Sequence, residues 1–481
     1  MLRRVLLSFV LATLGSLYLG AQNDFRKAFD DFTTNAMNRH AAFTDTANAL
    51  FAKAIAQNWS RYELSDGNLR QEKPKPGTLP VAEKAQTQFN LLPISETIED
   101  NQQDKLPETA SVRWLPQKSS SRTIRFTFYD AEQVVSIPQE YGAFHPKGIS
   151  EKEVAAFWEQ LSRYNYQLIL ADCNQYIETC GYNDWAVQEW VRALSAAIFP
   201  HNIHSEQTIF TVFLLNQMGL KTKIARADDR LIGLFSSRQS VYARKFLQID
   251  SYPFYVAEND FSASTVYTYN VDFAQSERPV DLRIQKPLRL GGTASYKTYK
   301  KDAPVLQTSM ELPVNEALLR FYSHYPQTTV TVYATACPEK RFASALLADL
   351  KDCIRGMSDL DAVNKILTFA QTDFRYQTDI DQFGYEKPYF CEENFVYQAN
   401  DCEDRAALFA YLVRSLVGCD VVLLEYPDHI STAVHLNGEV KGDRVRVKGR
   451  DFYVCDPSFI GSTLGMTIPK YKNQAVKVYV L

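Results

Sequence analysis

Two stretches of this chain repeat the same unit, a helix that ends at a glycine and leads into a buried strand. The unit occurs as SEQTIFTVFLLNQMGLKTKIAR and again as EDRAALFAYLVRSLVGCDVVLLE, and the two overlay with Gly219 on Gly418. Further on, YPFYVAE overlays DFYVCDP, with an offset that differs by one residue. Self-similarity along a chain indicates a repeated structural unit. We therefore expect an ancient duplication, against the alternative that any helix, glycine and strand would align in this way.

The hydrophobic pattern predicts an α+β chain with two related domains, 122–305 and 306–481. Short strand-like runs and helical periods follow one another from Thr123, and the order recurs from about Ser309. For the first domain we predict helices near 151–164, 185–199 and 205–218, and strands near 123–129, 221–226, 231–235, 241–249 and 254–257.

The residues ahead of these domains have a different composition. Apolar side chains at mostly three, four or seven residue intervals predict a helical segment over 22–65. Residues 66–121 are rich in Pro, Gln, Ser and Lys, which predicts a linker that is partly polyproline II.

The first 21 residues have the layout of a secretory signal. Two arginines precede an apolar run that ends in small residues at Gly20 and Ala21. We expect cleavage after Ala21 and a periplasmic or secreted protein, with no stable membrane span after cleavage. An uncleaved anchor is the alternative, because the run over 5–21 is close to the ~17-residue lower limit for a bilayer span.

Charge argues against a nucleic-acid partner. The net charge is −4, whereas nucleic-acid binding calls for a basic domain with clustered Lys and Arg.

Export permits disulfides among the eight cysteines. Cys173 with Cys180 is the only close pair, Cys337 with Cys353 is a second candidate, and the connectivity stays open. No CxxC pair is present, and the HNIH motif at 201–204 has no third ligand at a useful distance. We therefore expect no metal site and no cofactor.

The helix predicted to begin at Cys402 contains the candidate nucleophile. Asp401 is a suitable N-cap, and Asp404 stands where a capping box places its reciprocal acceptor. Cys402 shares the core-facing stripe of this helix, which Gly418 ends. A helix N-terminus favours a thiolate and can hold an oxyanion. The acidic residues beside the thiol, including Glu403, would raise its pKa unless an imidazolium lies close by.

Two histidines follow the cysteine, and both lie in the predicted strand HISTAVHL. Period two puts His429 and His435 on one face, so either could meet Cys402. We favour His429 as the base, at the mouth of the strand, and keep His435 as the alternative. Asp456, at the end of the strand DFYVCDP, could accept the other ring N–H of the histidine. Taken singly, each residue also has a plain structural interpretation.

An aromatic and acidic segment between Gln371 and Asp401 precedes the nucleophile. It could form the wall of a substrate groove, and Gln382 could donate to an oxyanion. An aromatic core beneath a long loop explains the same residues equally well.

These motifs resemble the transglutaminase-like superfamily. The resemblance covers about 120 residues and is carried by NDCEDRAALFAYLVRSLVG, HISTAV and FYVCDPSF. It implies a papain-like fold with Cys402 as nucleophile, His429 as base and Asp456 as the orienting carboxylate. Members include peptidases, protein-crosslinking acyltransferases and glycan-releasing amidases. Asn400 and Ser431 depart from the usual pattern, as does the long interval from the histidine to the aspartate.

The first copy lacks these groups. Cys402 falls on Ile203 and Asp456 on Glu258, and the segment DDRLIGLFSSRQS has no histidine. We therefore expect a degenerate first domain and a catalytic second domain.

Two functions follow from the sequence. The first is an exported thiol enzyme that hydrolyses or transfers an amide or peptide acyl group, most simply a cysteine peptidase acting on a protein or peptide. The alternative is a catalytically inactive scaffold that binds an envelope protein through residues 22–65.

Overall fold

The computed structural model describes residues 46–67, 77–82, 89–99, 120–200, 204–259, 261–438 and 440–481. The predicted signal, the first half of the predicted N-terminal helical segment and most of the HNIH motif lie outside the described residues.

The chain is α+β with mainly antiparallel sheets, which confirms the predicted class. Its first part forms α1 (46–55), β1 (Ser60–Glu63), β2 (Ile94–Glu99), β3 (Ser121–Phe128), β4 (Ala131–Pro138), α2 (Glu151–Ser162), α3 (Gln167–Cys180), α4 (Asp184–Ile198), α5 (His204–Gln217), β5 (Thr222–Ala227), β6 (Arg230–Ser236), β7 (Phe246–Ile249), β8 (Tyr252–Val256) and β9 (Thr265–Thr268). Its second part forms β10 (Tyr296–Ala303), β11 (Thr308–Asn315), α6 (Glu316–Ser323), α7 (Val330–Thr335), α8 (Lys340–Cys353), α9 (Asp359–Thr372), β12 (Arg375–Tyr376), α10 (Asp379–Phe383), β13 (Ala399–Asn400), α11 (Cys402–Leu416), β14 (Val421–Tyr426), β15 (His429–Val434), β16 (Arg444–Val447), β17 (Arg450–Cys455) and β18 (Val476–Val480).

Two six-stranded sheets have the same strand order. One runs β1-β9-β5-β6-β8-β7 and the other β2-β18-β14-β15-β17-β16. Pairing registers agree as well, since Leu234 opposes Val256 in the first sheet and Ala433 opposes Val454 in the second. The two alignments of the sequence match Leu234 to Ala433 and Val256 to Val454, so residues that correspond in the sequence also pair in the same way in the two sheets. The edge strands differ, because β1 runs antiparallel to β9 and β2 runs parallel to β18.

A two-stranded hairpin, β3–β4 or β10–β11, precedes the five strands that follow the edge strand of each sheet. The second strands of the two hairpins, β4 and β11, share one pattern of buried and exposed positions. Helix α3 packs on β4 as α8 packs on β11. This correspondence is what a duplication would produce, and the duplication itself remains a prediction.

The predicted first-domain helices are confirmed as α2, α4 and α5, and each ends within two residues of the expected position. Helix α3 was not predicted. Part of the predicted linker is also strand, since β2 completes the second sheet beside β18. No helix in the described part of the chain is both long and apolar enough to cross a membrane.

The expected disulfides are wrong. All eight cysteines lie in the described residues, and all are free thiols. Cys173 and Cys180 lie two turns apart on α3, which places their Cα atoms ~10 Å apart, beyond the reach of a disulfide. The Cys337 and Cys353 thiols donate instead to the carbonyls of Gln285 and Asp349, each at 3.2 Å.

The N-terminal helix belongs to the core of the first domain. Phe51 of α1 packs its ring on Trp158 at 4.8 Å and on Phe273 at 5.5 Å between centroids. Strand β1 then extends the first sheet. The described part of the segment 22–65 is therefore an integral part of the first domain.

Replacing Phe51 by alanine should lower the free energy of unfolding by about 3 to 5 kcal/mol, because a ring that is 5% exposed leaves a cavity. Urea denaturation measures this loss. The neighbouring Leu50→Ala is the matched control, since Leu50 is 64% exposed and should cost less than about 0.5 kcal/mol. Equal losses in the two variants would contradict this packing of α1.

Candidate functional site

Helix α11 begins at Cys402, as predicted. Asp401 has the extended backbone of an N-cap, and its N–H donates to Oδ2 of Asp404 at 3.2 Å, the reciprocal half of a capping box. Gly418 has a φ of +77° just after the helix, which is the left-handed conformation that ends helices. Local sequence thus places the thiol in the first turn of a helix that packs on β14 and β15.

The thiol is buried among acidic groups. Cys402 is 1% exposed, and its Sγ donates to Oε2 of Glu403 at 3.2 Å. Asp401, Glu403 and Asp404 are all buried around it. Carboxylate charge at this distance opposes formation of a thiolate by Coulomb repulsion.

His429 and Asp456 are brought together by adjacent strands. His429 opens β15 and Asp456 directly follows β17, and Nε2 lies 2.8 Å from Oδ2. Both residues are only 2% exposed. The second carboxylate oxygen of Asp456 accepts from the Ser458 N–H at 2.9 Å. Because the carboxylate fixes Nε2 as the protonated nitrogen, Nδ1 is the one left to exchange a proton.

Two tyrosine rings stack with the imidazole of His429. Tyr471 stacks on His429 at 5.5 Å with a 2° interplanar angle, and also on Tyr426, the partner of His429 across β14 and β15. Burial, followed by the hydrogen bond to Asp428, raises the pKa of Tyr471, so the ring that stacks on His429 stays neutral.

His435, the alternative base, is placed elsewhere. Its Nδ1 lies 2.8 Å from the carbonyl oxygen of Asp451, and its ring packs on Phe452. Six residues of strand separate it from His429, which amounts to ~20 Å. Within the described residues, His429 rather than His435 contacts Asp456.

Gln382, the candidate oxyanion donor, lies in α10. Its amide nitrogen donates to the hydroxyl of Tyr389 and to the carbonyl of Ala399 at 3.5 Å. Both amide protons are thus in use, so the predicted oxyanion role requires these bonds to be released.

The aromatic segment ahead of the nucleophile is mostly core. Tyr389, Phe390 and Phe395 are buried, and Phe390 stacks on Tyr322 with centroids 4.1 Å apart. Tyr385 is 53% exposed and is the member of this group that can face a ligand.

Arg405 supports the nucleophile from within the protein. Its fully buried guanidinium donates to Oδ1 of Asn400 at 2.9 Å and to the carbonyls of Gln371 and Phe374 at 2.9 and 2.8 Å. Those carbonyls lie at the C-terminal end of α9, where a cation is favoured. Burial lowers the pKa of Arg405 to about 10, which leaves it charged at neutral pH.

Gln371 extends this network to the aspartate. Its amide nitrogen donates to the carbonyls of Asp456 and Phe459 at 3.1 and 2.8 Å, and Oε1 accepts from Gly461 at 3.2 Å. Arg405, one turn after Cys402, is thereby connected through Gln371 to the loop that holds Asp456. Neither residue was identified from the sequence, although a charged or amide side chain on an apolar helix face is a usable signal.

Two overlapping groups of side chains in the described residues could hold a metal ion. Carboxylate oxygens of Asp379, Glu386, Asp401 and Glu403 lie within 4.8 Å of one another, and so do the Cys402 thiol and the carboxylates of Asp401 and Glu403. The all-oxygen group suits a hard cation such as Ca²⁺ or Mg²⁺. Its ligands come from the segment 379–386 and from the start of α11, so the spacing along the sequence does not reveal the group.

The first domain has different residues at the corresponding positions. The start of β6, equivalent to His429, is Arg230, and Glu258 follows β8 where Asp456 follows β17. Ile203, the counterpart of Cys402, lies outside the described residues.

Comparisons with protein-family models, with curated proteins and with solved structures returned no match to this chain.

Arg405→Ala should lower the free energy of unfolding by about 3 to 5 kcal/mol, because it leaves the buried Asn400 amide oxygen and the carbonyls of Gln371 and Phe374 without their donor. Chemical denaturation measures the change. Arg414→Ala, on the same helix but exposed, is the control and should be nearly neutral. A neutral Arg405→Ala would show that the network contributes little.

Stability should also depend on pH through Glu392. Burial raises its pKa to about 7 while its oxygens accept from the Glu339 N–H and the Tyr322 hydroxyl. A carboxyl group whose pKa is higher in the folded protein stabilises the fold. This contribution is fully present at pH values below 4.5, the pKa in the unfolded chain, and it is lost as the pH rises through about 7.

Relative to Glu392→Gln, the unsubstituted protein should therefore lose about 3 kcal/mol of stability between pH 4.5 and pH 8. Urea denaturation at the two pH values measures the difference. The exposed Glu277→Gln should leave the pH dependence unchanged. An identical pH dependence in Glu392→Gln would refute this origin.

Proposed function

We propose that this protein is an exported thiol enzyme that hydrolyses or transfers an amide or peptide acyl group, with residues 306–481 as a transglutaminase-like, papain-like catalytic domain. The observation that carries the proposal is the buried bond of 2.8 Å between His429 Nε2 and Asp456 Oδ2, together with a thiol in the first turn of helix α11, which packs on the strand that His429 opens. Nucleophile, base and orienting group of this kind serve covalent acyl transfer on unrelated folds.

The reaction would proceed in two proton-balanced steps. His429 Nδ1 takes the Cys402 proton as sulfur attacks the carbonyl carbon, and returns it to the leaving nitrogen as the C–N bond breaks. Water then attacks the thioester carbon with His429 accepting its proton, and His429 returns that proton to the Cys402 sulfur as the C–S bond breaks and the carboxylic acid leaves. Asp456 holds the imidazolium in place throughout. Hydrolysis is favoured over crosslinking because nothing in the sequence marks a site for an acceptor amine.

Catalysis requires two changes at the thiol. The proton shared with Glu403 must pass to the imidazole, and the side chains that leave Cys402 1% exposed must admit a substrate. The segment 379–386 carries two of the carboxylates that face Asp401 and Glu403. In this proposal, displacement of the segment would expose the thiol to a substrate and would move two carboxylates away from it.

Alkylation of individual cysteines tests the proposal. Native protein is treated with iodoacetamide at pH 8, and the modification of each cysteine is followed by peptide mass spectrometry. Cys402 should react at least about tenfold faster than Cys455, which is equally buried, because the proposed triad supplies His429 as a base to Cys402 and none to Cys455.

The variants separate the two histidines. His429→Ala and Asp456→Asn should each slow modification of Cys402 to the rate of Cys455, and His435→Ala should leave it unchanged. A Cys402 no more reactive than Cys455, in a protein that His429→Ala does not alter, would falsify the enzymatic proposal.

A second candidate is a catalytically inactive scaffold for an envelope protein. The burial of Cys402 and its hydrogen bond to a carboxylate favour this function. It predicts that Cys402→Ala leaves the cellular phenotype intact. Residues 46–65 contribute to the first core, so the scaffold is best tested by deleting 22–45 rather than 22–65.

A further inference from the structure

The first domain contains a cavity of about 270 Å³ between α4, α5 and the sheet. It lies beside β6 and the end of β8 and reaches Glu258, the counterpart of Asp456. The volume suits a ligand somewhat smaller than a drug-sized molecule.

A buried amide without a partner lines this cavity. Gln188 is 2% exposed, and neither its Nε2 nor its Oε1 has a hydrogen-bond partner among the described residues. Burying an amide unpaired costs about 1 to 3 kcal/mol. The arrangement is accounted for if a bound molecule supplies one donor and one acceptor, which are the two groups of another amide.

One carboxylate oxygen of the cavity is unpaired within the described residues. Glu258 accepts from the Gly233 N–H with Oε1 at 3.3 Å, while its buried Oε2 has no partner in the described part of the chain. Arg192 is shared between Glu189 at 3.1 Å and Glu258 at 3.8 Å, and Arg244 donates to the carbonyl of Ala257, the neighbour of Glu258, at 2.8 Å. The two guanidinium groups balance the two carboxylates, so the unpartnered Oε2 is the feature that would accept from a cationic group of a ligand.

The remaining wall is apolar. Val212, Leu215, Leu234 and Phe235 line it from α5 and β6. An apolar surface with a few convergent polar groups is typical of a small-molecule site.

We propose that this cavity binds a primary ammonium next to an amide, the chemistry of a peptide N-terminus or of an amino-acid amide. The ammonium pairs with Glu258 Oε2, the amide pairs with the Gln188 amide, and the first side chain contacts the apolar wall. The site does not depend on the Cys402 chemistry. It would make the domain that lacks the Cys402, His429 and Asp456 counterparts a recognition site for the ends of peptide chains.

Isothermal titration calorimetry of the mature full-length protein tests the site. L-Leucinamide should bind, and N-acetyl-L-leucinamide, which has lost its ammonium, should bind at least tenfold more weakly. L-Leucine, which has lost the amide, should also bind at least tenfold more weakly. Leucyl-glycinamide distinguishes the two kinds of ligand that carry an ammonium next to an amide. If it binds as tightly as leucinamide or more tightly, the ligand is a peptide terminus. If it binds more weakly, the ligand is a free amino-acid amide.

Variants locate the binding. Glu258→Gln and Gln188→Leu should each weaken leucinamide at least tenfold, while Glu178→Gln, Gln175→Leu and Cys402→Ala should leave the affinity unchanged. The first two controls are exposed residues of α3, and the third separates this proposal from the enzymatic one.

Gln188→Leu has a second readout. Without ligand it should raise the melting temperature, because it removes an unpaired buried amide while it weakens binding. Failure of leucinamide to bind, equal binding of the acetylated compound, or a lower melting temperature in Gln188→Leu would each overturn the proposal.

Discussion

The buried guanidinium of Arg405 is the interaction on which the arrangement of the second domain depends. It sits one turn after Cys402, donates to the last carbonyls of α9 and to Asn400, and is connected through Gln371 to the loop of Asp456. Helix α11, helix α9 and the end of β17 are therefore held by one set of hydrogen bonds. Removing either partner of such a set leaves buried groups unsatisfied, so these elements must pack together or not at all.

The two domains have one topology and different chemistry. Strand order is the same in the two sheets, and the register agrees between β6 and β8 and between β15 and β17, yet Arg230 and Glu258 occupy the positions of His429 and Asp456. A sheet register depends on backbone pairing and on buried faces, so it persists when side chains at the strand ends change. Those ends are where a site is built, which is why one domain can hold a His–Asp pair and the other a cavity with an unpaired amide.

The environment of Cys402 sets two effects against each other. A helix N-terminus and a carboxylate-oriented imidazole favour a thiolate, whereas burial and the adjacent Glu403 favour the protonated thiol. The carboxylates of the 379–386 segment add to the second effect. In the proposed reaction, a substrate or a cation that neutralises these carboxylates would shift the balance toward the thiolate.

The sequence by itself determined the α+β class, the helix from Cys402 to the glycine stop, and the strands that carry His429 and Asp456, because periodicity, capping residues and turn residues act locally. It did not indicate α3, or β2 within a segment of linker composition, since each is stabilised by the surface it packs on. Only the tertiary structure decided that the cysteines stay unbridged, that Asp456 contacts His429 rather than His435, and that Glu403 holds the thiol. Those outcomes depend on distances between segments far apart in the chain, which the order of residues does not specify.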